Sequence, residues 1–106
     1  MAIGQVRHTI LAIMTSPCIY ILKCANDRFY IGSTNNLLRR FEEHERGHVA
    51  STKNLRPLMI AFSQNYPSLL EARKIELKLK KLKSRTIIEK IISEKQIKLS
   101  SRSSAG

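Results

Sequence analysis

Two short runs of strand-forming residues, joined by a polar segment, constrain the fold of this chain most strongly. The run Cys18-Ile-Tyr-Ile-Leu22 is β-branched and aromatic, and Phe29-Tyr-Ile31 has a similar composition. The turn residues Ala25-Asn-Asp-Arg28 lie between them. Runs of this kind on either side of turn residues are typical of a β-hairpin. The sequence therefore predicts two adjacent antiparallel strands.

A helix and a third strand are predicted next along the chain. Residues Leu37 to Arg46 carry an apolar stripe and follow the cap candidates in Gly32-Ser-Thr-Asn-Asn36, and Gly47 ends the pattern. After a polar, basic loop, the short apolar run Leu58-Met-Ile-Ala-Phe62 predicts the third strand.

Two serines mark the starts of two further helices. Ser68-Leu-Leu-Glu71 matches a capping box, and Ser84 is a cap candidate for the last helix. The apolar positions at helical spacing are Ala72, Ile75, Leu79 and Leu82 in the first and Ile87, Ile88, Ile91 and Ile92 in the second. The resulting order predicts an α+β fold, β-β-α-β-α-α, with helices packed on a small three-stranded antiparallel sheet.

The length of 106 residues is typical of a single domain. We expect residues 17–99 to form this domain and residues 100–106 to be a frayed tail. Residues 1–16 show no clear period and are expected to be an N-terminal extension without fixed structure. Met14 is a second candidate for the natural start.

The chain is strongly basic. Nineteen Lys and Arg face eight Asp and Glu, for a net charge of +11, and residues 71–106 contribute +7 of it. Such an imbalance favours a polyanionic partner, which is nucleic acid or an anionic membrane surface. No apolar run approaches the roughly 18 residues of a membrane span. We therefore expect a cytoplasmic protein that binds nucleic acid and has no membrane partner.

The two cysteines are expected to be buried free thiols. Cys18 and Cys24 lie in what reads as one strand, where extended chain separates them by about 20 Å, too far for a disulfide. A zinc site requires four grouped ligands, so metal binding by these two is not expected.

The hairpin carries a resemblance to a known family. Cys18-Ile-Tyr20 and Tyr30-Ile-Gly32 resemble the paired tripeptides that name the GIY-YIG nucleases. Arg40 follows ten residues after Tyr30, His44 follows one helical turn later, and Glu71 opens a helix after the third strand. This order is similar to that of the family's functional residues. The closest likeness is to its small stand-alone bacterial members.

Two departures accompany this resemblance. Cys18 stands where the family name calls for Gly, which a strand tolerates because Gly there serves backbone approach. Family nucleases often carry an Asn after the second helix, and the matching stretch, Leu82-Lys-Ser84, has none.

The resemblance implies a metal-dependent endonuclease that hydrolyses phosphodiester bonds of DNA. Tyr20 is then the general base, Tyr30 and His44 orient water or phosphate, and Arg40 is the phosphate clamp. Glu71 is the metal ligand, with Mg²⁺ or Mn²⁺ as the cofactor. Because the family joins this domain to DNA-targeting domains in repair and homing enzymes, we expect a partner protein to supply targeting.

Elementary chemistry supports these residue types. A phenol serves as a base only if nearby positive charge favours its phenolate, and Arg40 can supply that charge while it binds phosphate as a planar fork. One carboxylate is enough for Mg²⁺, which keeps most of its waters. The predicted nucleic-acid-binding residues are Ser33, Arg39, Lys74, Lys78, Lys80 and Lys81.

Simpler interpretations remain for several of these residues. Glu71 is the fourth residue of a capping box and can cap its helix instead of binding a metal, or do both. His44 can stabilise the end of its helix through the helix dipole. The lysines can form a solvated surface. The alternative function is a non-catalytic module that binds DNA or RNA on the same fold.

Overall fold

The computed structural model describes residues 15–98. The elements are β1 (Cys18–Lys23), β2 (Phe29–Thr34), α1 (Leu37–Glu45), β3 (Met59–Asn65), α2 (Leu69–Leu82) and α3 (Arg85–Glu94), with a single 3-10 turn at Lys53–Leu55. This order confirms the predicted α+β fold. The predicted tail, and all but two residues of the predicted N-terminal extension, lie outside the described residues.

The three strands form one antiparallel sheet in the order β2-β1-β3. Tyr20 pairs with Gly32, and Leu22 pairs with Tyr30. Because side chains alternate between the faces of a sheet, this register places both tyrosines on the same face. Strand β2 is an edge strand, and the candidate site described below forms around it.

Strand β2 is longer than predicted. Ser33 and Thr34 read as part of the turn into the helix, but they pair with Ile19 and Cys18 of β1. These two additional residue pairs explain why the strand continues to Thr34. They provide hydrogen-bond partners for backbone groups that would otherwise be exposed to solvent in a turn.

Central strand β1 is buried on both faces. Ile19 and Ile21 pack with residues of β3, α2 and α3 on one side of the sheet. Cys18, Tyr20 and Leu22 pack with Leu37, Leu58 and Cys24 on the other side. Burial on both faces accounts for the nearly continuous apolar run in this part of the sequence.

The three helices start where the sequence predicts. Asn36 accepts a hydrogen bond from the Arg39 backbone N–H. Ser68 and Ser84 cap α2 and α3 in the same way. Helix α1 ends at Glu45, one residue before its predicted end, and Gly47 follows with a φ of 79°. A positive φ favours glycine, so Gly47 allows the chain to leave the helix.

The cysteines are free and buried, as predicted. Burial raises the pKa of the Cys18 thiol to about 11, so it stays protonated at neutral pH. Across residues 15–98, no helix is both long and apolar enough to cross a membrane.

Candidate active site

Three of the predicted catalytic side chains meet through hydrogen bonds. The Tyr20 hydroxyl lies 3.0 Å from Nε2 of His44, and it accepts a hydrogen bond of 3.4 Å from Nε of Arg40. Arg40 and His44 are one helical turn apart on α1, about 40° around the helix, so both reach the same tyrosine. Tyr20 is 1% exposed and His44 is 0% exposed, which makes the inner part of this cluster dry.

Tyr30 joins this cluster through its ring. Its centroid lies 6.3 Å from that of Tyr20 and 5.0 Å from that of His44, and the Tyr30 and His44 rings form a T-shaped pair. Tyr30 is only half-buried. It therefore stands at the rim, between the buried pair and solvent, where a substrate group has access.

The Tyr20 side chain lies over Gly32, its partner across the two strands. A Cβ built at Gly32 would come within 3.0 Å of three atoms of the Tyr20 phenol. Gly32 is extended and has no positive φ, so glycine is needed here for space. Gly32 of the tripeptide Tyr30-Ile-Gly32 thus leaves the space that the Tyr20 side chain of Cys18-Ile-Tyr20 occupies.

The Tyr20 phenol keeps its proton in the resting protein. Burial raises the pKa of Tyr20 to about 12, although the hydrogen bond and charge of Arg40 act in the opposite direction. The negative charge of Glu76 also raises this pKa. The positive charge expected to favour the phenolate is present, but alone it does not offset burial.

His44 is neutral at physiological pH. Burial, followed by the positive charge of Arg40, lowers the pKa of His44 to about 4. A neutral ring does not gain the dipole stabilisation that a histidinium at a helix end would gain. That simpler interpretation of His44 would require the charged ring. Its Nδ1 lies 2.7 Å from the hydroxyl oxygen of Thr52, in the loop after α1.

The two arginines of α1 differ in their surroundings. Arg40 is half-buried, donates to a Glu43 carboxylate oxygen at 2.9 Å and contacts Tyr20. The hydrogen bonds that Arg40 donates to Tyr20 and Glu43 raise the pKa of Arg40, and Arg40 in turn lowers the pKa of Glu43. Arg39 is exposed and donates to Asn35 at 3.4 Å. A phosphate at this cluster would compete with Glu43 for the Arg40 guanidinium.

The carboxylate that the structure links to this cluster belongs to Glu76. Ser33 of β2 donates a hydrogen bond of 2.5 Å to one oxygen of Glu76, and Lys80 Nζ lies 2.6 Å from the other. The same Lys80 nitrogen is 5.9 Å from the centroid of the Tyr30 ring. An acidic and a basic group of α2 therefore stand at the β2 edge, beside the tyrosines.

Glu71, the predicted metal ligand, lies elsewhere on α2. It is five residues before Glu76, which is about 7.5 Å along the helix and about 140° around it. The buried stripe of Ala72, Ile75 and Leu79 separates the two carboxylates, so they stand on opposite flanks. The Glu71 backbone N–H donates to the Ser68 hydroxyl at 3.2 Å, which is the N-cap bond of Ser68 and does not involve the Glu71 carboxylate.

The structure also divides the predicted binding lysines. Lys80 lies on the flank of α2 that carries Glu76. By helical geometry, Lys74, Lys78 and Lys81 lie toward the opposite flank. Ser33 lies in strand β2 and contacts Glu76, whereas the sequence predicted it in a turn. A phosphate would therefore reach the Ser33 hydroxyl only beside Glu76, at the edge of the sheet.

Comparisons with known proteins agree with this geometry. Residues 16–91 match the GIY-YIG catalytic domain. The chain belongs to the GIY-YIG family. A UPF0213 protein of Clostridium perfringens is 35% identical over 81 residues, which cover 76% of this chain and 86% of that protein. A UPF0213 protein of Nitratidesulfovibrio vulgaris is 34% identical over 64 residues, which span 59% of this chain and 58% of that protein.

A solved structure shares the fold of this GIY-YIG chain. The solution NMR structure of a UPF0213 protein from Bacillus halodurans superposes with a TM-score of 0.50 at 31% identity, covering 74% of this chain and 84% of that one. The likeness to small stand-alone bacterial members is thereby confirmed. Membership implies a nuclease-type fold.

The donors at the GIY-YIG site fit a single hard cation. Glu76 offers a carboxylate whose side chain is only 18% exposed, and the Ser33 hydroxyl lies beside it. Within residues 15–98 no group of three or more His, Cys, Asp or Glu side chains is arranged to hold a metal ion. Mg²⁺ is often bound by one carboxylate with waters and substrate oxygens, so Glu76 can hold it, with Lys80 displaced.

Sequence reasoning missed three residues of this site: Gly32, Thr52 and Glu76. One signal for Glu76 was available, since it is the one acidic residue among six basic residues from Arg73 to Lys83. Gly32 was read only as part of a motif. Thr52 lies in a loop without periodicity, and no sequence signal marks it.

Proposed function

We propose that this protein is a metal-dependent endonuclease that hydrolyses phosphodiester bonds of DNA. The observation that supports this most is the arrangement around strand β2. A buried phenol, contacted by Arg40 and His44, lies on one side of the strand, and the Glu76 carboxylate lies on the other. Phosphodiester hydrolysis needs a base, a cation for the phosphoryl oxygens and stabilisation of the leaving oxygen.

Each side chain has a role that its surroundings suit. Tyr20, as phenolate, takes a proton from the attacking water. Arg40 stays charged and binds phosphoryl oxygens as a planar fork, exchanging Glu43 for the substrate. Tyr30, at the rim, orients water or phosphate, and His44 holds Tyr20.

We propose Glu76 as the ligand of a divalent cation, with Mg²⁺ or Mn²⁺ as the metal. When bound, the metal would stabilise negative charge on the leaving oxygen. The short contacts of Glu76 with Ser33 and Lys80 support this choice over Glu71, because they place the carboxylate beside Tyr30.

A non-catalytic DNA or RNA-binding module is the second candidate function. Two observations favour it. Both carboxylate oxygens of Glu76 already have partners, and burial raises the pKa of Tyr20 to about 12. The net charge of +11 would support binding without cleavage.

A nicking assay on supercoiled plasmid separates the two functions. The proposed nuclease nicks the plasmid with Mg²⁺ and stops when EDTA is added. DNA binding, followed by fluorescence anisotropy in the same buffers, provides the internal control. Binding with no nicking at any Mg²⁺ or Mn²⁺ concentration would favour the binding module. A cytoplasmic location, a link to DNA repair and a partner that supplies targeting stay predictions.

A further inference from the structure

Thr52 lies at the inner end of the hydrogen-bond chain that reaches Tyr20. Its hydroxyl oxygen is 2.7 Å from Nδ1 of His44, and Nε2 of the same ring is 3.0 Å from the Tyr20 hydroxyl. Thr52 and His44 are both completely buried. Because His44 is neutral, one ring nitrogen donates a hydrogen bond and the other accepts one. Only two arrangements of protons are then available.

In the first arrangement Nδ1 carries the proton. His44 then donates to the Thr52 oxygen and accepts the Tyr20 proton. The Thr52 hydroxyl proton is left without an acceptor among the hydrogen bonds of residues 15–98, at a site with no access to solvent. Buried donors are rarely left unpaired, and each costs roughly 1–3 kcal/mol, so this arrangement is disfavoured.

In the second arrangement Nε2 carries the proton. Thr52 donates to Nδ1, and His44 donates to the Tyr20 oxygen, which also accepts from Arg40. The proton without an assigned acceptor is now that of Tyr20. Tyr20 is also buried, at 1% exposed, but its hydroxyl contacts the half-buried Arg40 and its ring lies beside the half-buried Tyr30. This proton is therefore nearer to the surface than that of Thr52, whose hydrogen bond to His44 is buried. This is the proton that a catalytic base must lose.

We infer that Thr52 is a positioning residue that fixes His44 in the Nε2–H tautomer, so that the Tyr20 oxygen receives hydrogen bonds from both His44 and Arg40. Two donated hydrogen bonds favour the phenolate, which opposes the effect of burial. The consequence for catalysis rests on the proposed nuclease function, but the tautomer does not depend on it.

Tyr20 first releases its hydroxyl proton to solvent water, which leaves the phenolate. The phenolate then takes a proton from the attacking water, so one O–H bond breaks and one forms. The water oxygen bonds to phosphorus, the P–O bond to the leaving oxygen breaks with its electron pair, and the leaving oxygen takes a proton from solvent. His44 keeps its Nε2 proton throughout and is not itself the base.

The tautomer is measurable directly by long-range ¹H–¹⁵N correlation NMR on the full chain at pH 7. The sequence has three histidines, and the spectrum of His44→Gln identifies the signals of His44. We expect Nε2–H for His44 in the wild type. Thr52→Val keeps the shape of the side chain but removes the hydroxyl, so the tautomer should become mixed or change to Nδ1–H. Thr52→Ser keeps the hydroxyl and should preserve Nε2–H.

Nicking rates against pH provide the second readout. Without the His44 hydrogen bond the pKa of the base should rise, so Thr52→Val should shift the pH profile to higher pH and lower kcat at pH 7 by about tenfold. KM should change little, because Thr52 does not touch the substrate, and Thr52→Ser should restore the profile.

Two outcomes would overturn the inference about Thr52. They are an Nδ1–H tautomer in the wild type, or an unchanged tautomer in a folded Thr52→Val. If Thr52→Val does not fold, the His44 tautomer in the wild type and in Thr52→Ser still tests the inference. A wild type that shows Nε2–H but does not nick DNA would remove the proposed function while leaving the assignment of Thr52 in place.

Discussion

The hydroxyl of Ser33 on strand β2 donates a hydrogen bond to the carboxylate of Glu76 on helix α2. This contact brings an acidic group to the edge of the sheet where Tyr30 lies, while Glu71 stands on the opposite flank of the same helix. The position of the carboxylate determines where a cation would bind relative to the phenol. The two glutamates therefore form a matched pair for testing the metal site.

Replacing Glu76 with Gln keeps its size and its hydrogen bond with Ser33 but removes the charge. We expect plasmid nicking in Mg²⁺ to fall by a factor on the order of 100, because a cation held through this carboxylate is lost. Glu71→Gln should change nicking little and lower stability by less than about 1 kcal/mol, since it keeps a capping oxygen. Nicking rates and thermal melts of both variants measure this. A large loss of nicking in Glu71→Gln with little loss in Glu76→Gln would indicate that Glu71 is the metal ligand.

Gly32→Ala should displace the Tyr20 phenol, because the added Cβ would overlap with it. We expect a stability loss of about 1–3 kcal/mol, typical of overpacking, and reduced nicking per folded molecule. Gly47→Ala is the matched control. It strains a positive φ by roughly 1–2 kcal/mol without contacting Tyr20. Equal nicking by the two variants would show that the contact with Gly32 does not position the phenol for catalysis.

Burial of neutral His44 makes stability depend on pH. Its pKa falls from the usual 6.5 to about 4, so between these values the unfolded chain binds a proton that the folded chain does not. The contribution of neutral His44 to the free energy of unfolding is fully present above pH 6.5. As the pH falls from 6.5 toward 4, the free energy of unfolding decreases by about 1.4 kcal/mol per pH unit. Urea unfolding at pH 7, 6 and 5 measures it. His44→Gln should show a shallower decrease, and equal slopes would contradict the neutral ring.

Local patterns in the sequence were enough to predict most of the fold. The turn between the hairpin strands and the serine caps at Ser68 and Ser84 involve neighbours in the chain, so composition and spacing identify them. The grouping of Tyr20 with Arg40 and His44 came from the family resemblance, because local patterns fix each side chain only relative to its own strand or helix.

The carboxylate could not be assigned from sequence for a physical reason. Glu71 and Glu76 both flank the buried stripe of α2, and helical periodicity does not tell which flank faces β2. That depends on how the helix packs on the sheet. Thr52 was missed because its contact with His44 comes from the path of a loop, which carries no periodic signal.

The two flanks of α2 should differ in their contribution to DNA binding. By helical geometry Arg73 lies on the flank that carries Glu76, whereas Lys74 and Lys81 lie toward the other. Lys83, just after the helix, lines a pocket with Ile31 of β2 and with Lys80, on the Glu76 side. Reversing Arg73 and Lys83 to Glu should weaken binding across sequences and reduce the dependence of affinity on salt, because fewer counterions are released. Reversing Lys74 and Lys81 makes the same charge change and should have a smaller effect. Anisotropy titrations at several salt concentrations compare them, and equal losses would indicate that net charge alone matters.

The role of Tyr20 as base is the centre of this account, and the nicking rate of Tyr20→Phe in Mg²⁺ tests it most directly. The change removes one oxygen and keeps the buried ring. Tyr66→Phe is the control, because Tyr66 follows strand β3 and its hydroxyl accepts a hydrogen bond from Gln64 of that strand, outside the site. We predict that Tyr20→Phe binds DNA normally but nicks it at least about 100-fold more slowly, while Tyr66→Phe nicks at the wild-type rate. Wild-type nicking by folded Tyr20→Phe would contradict the account.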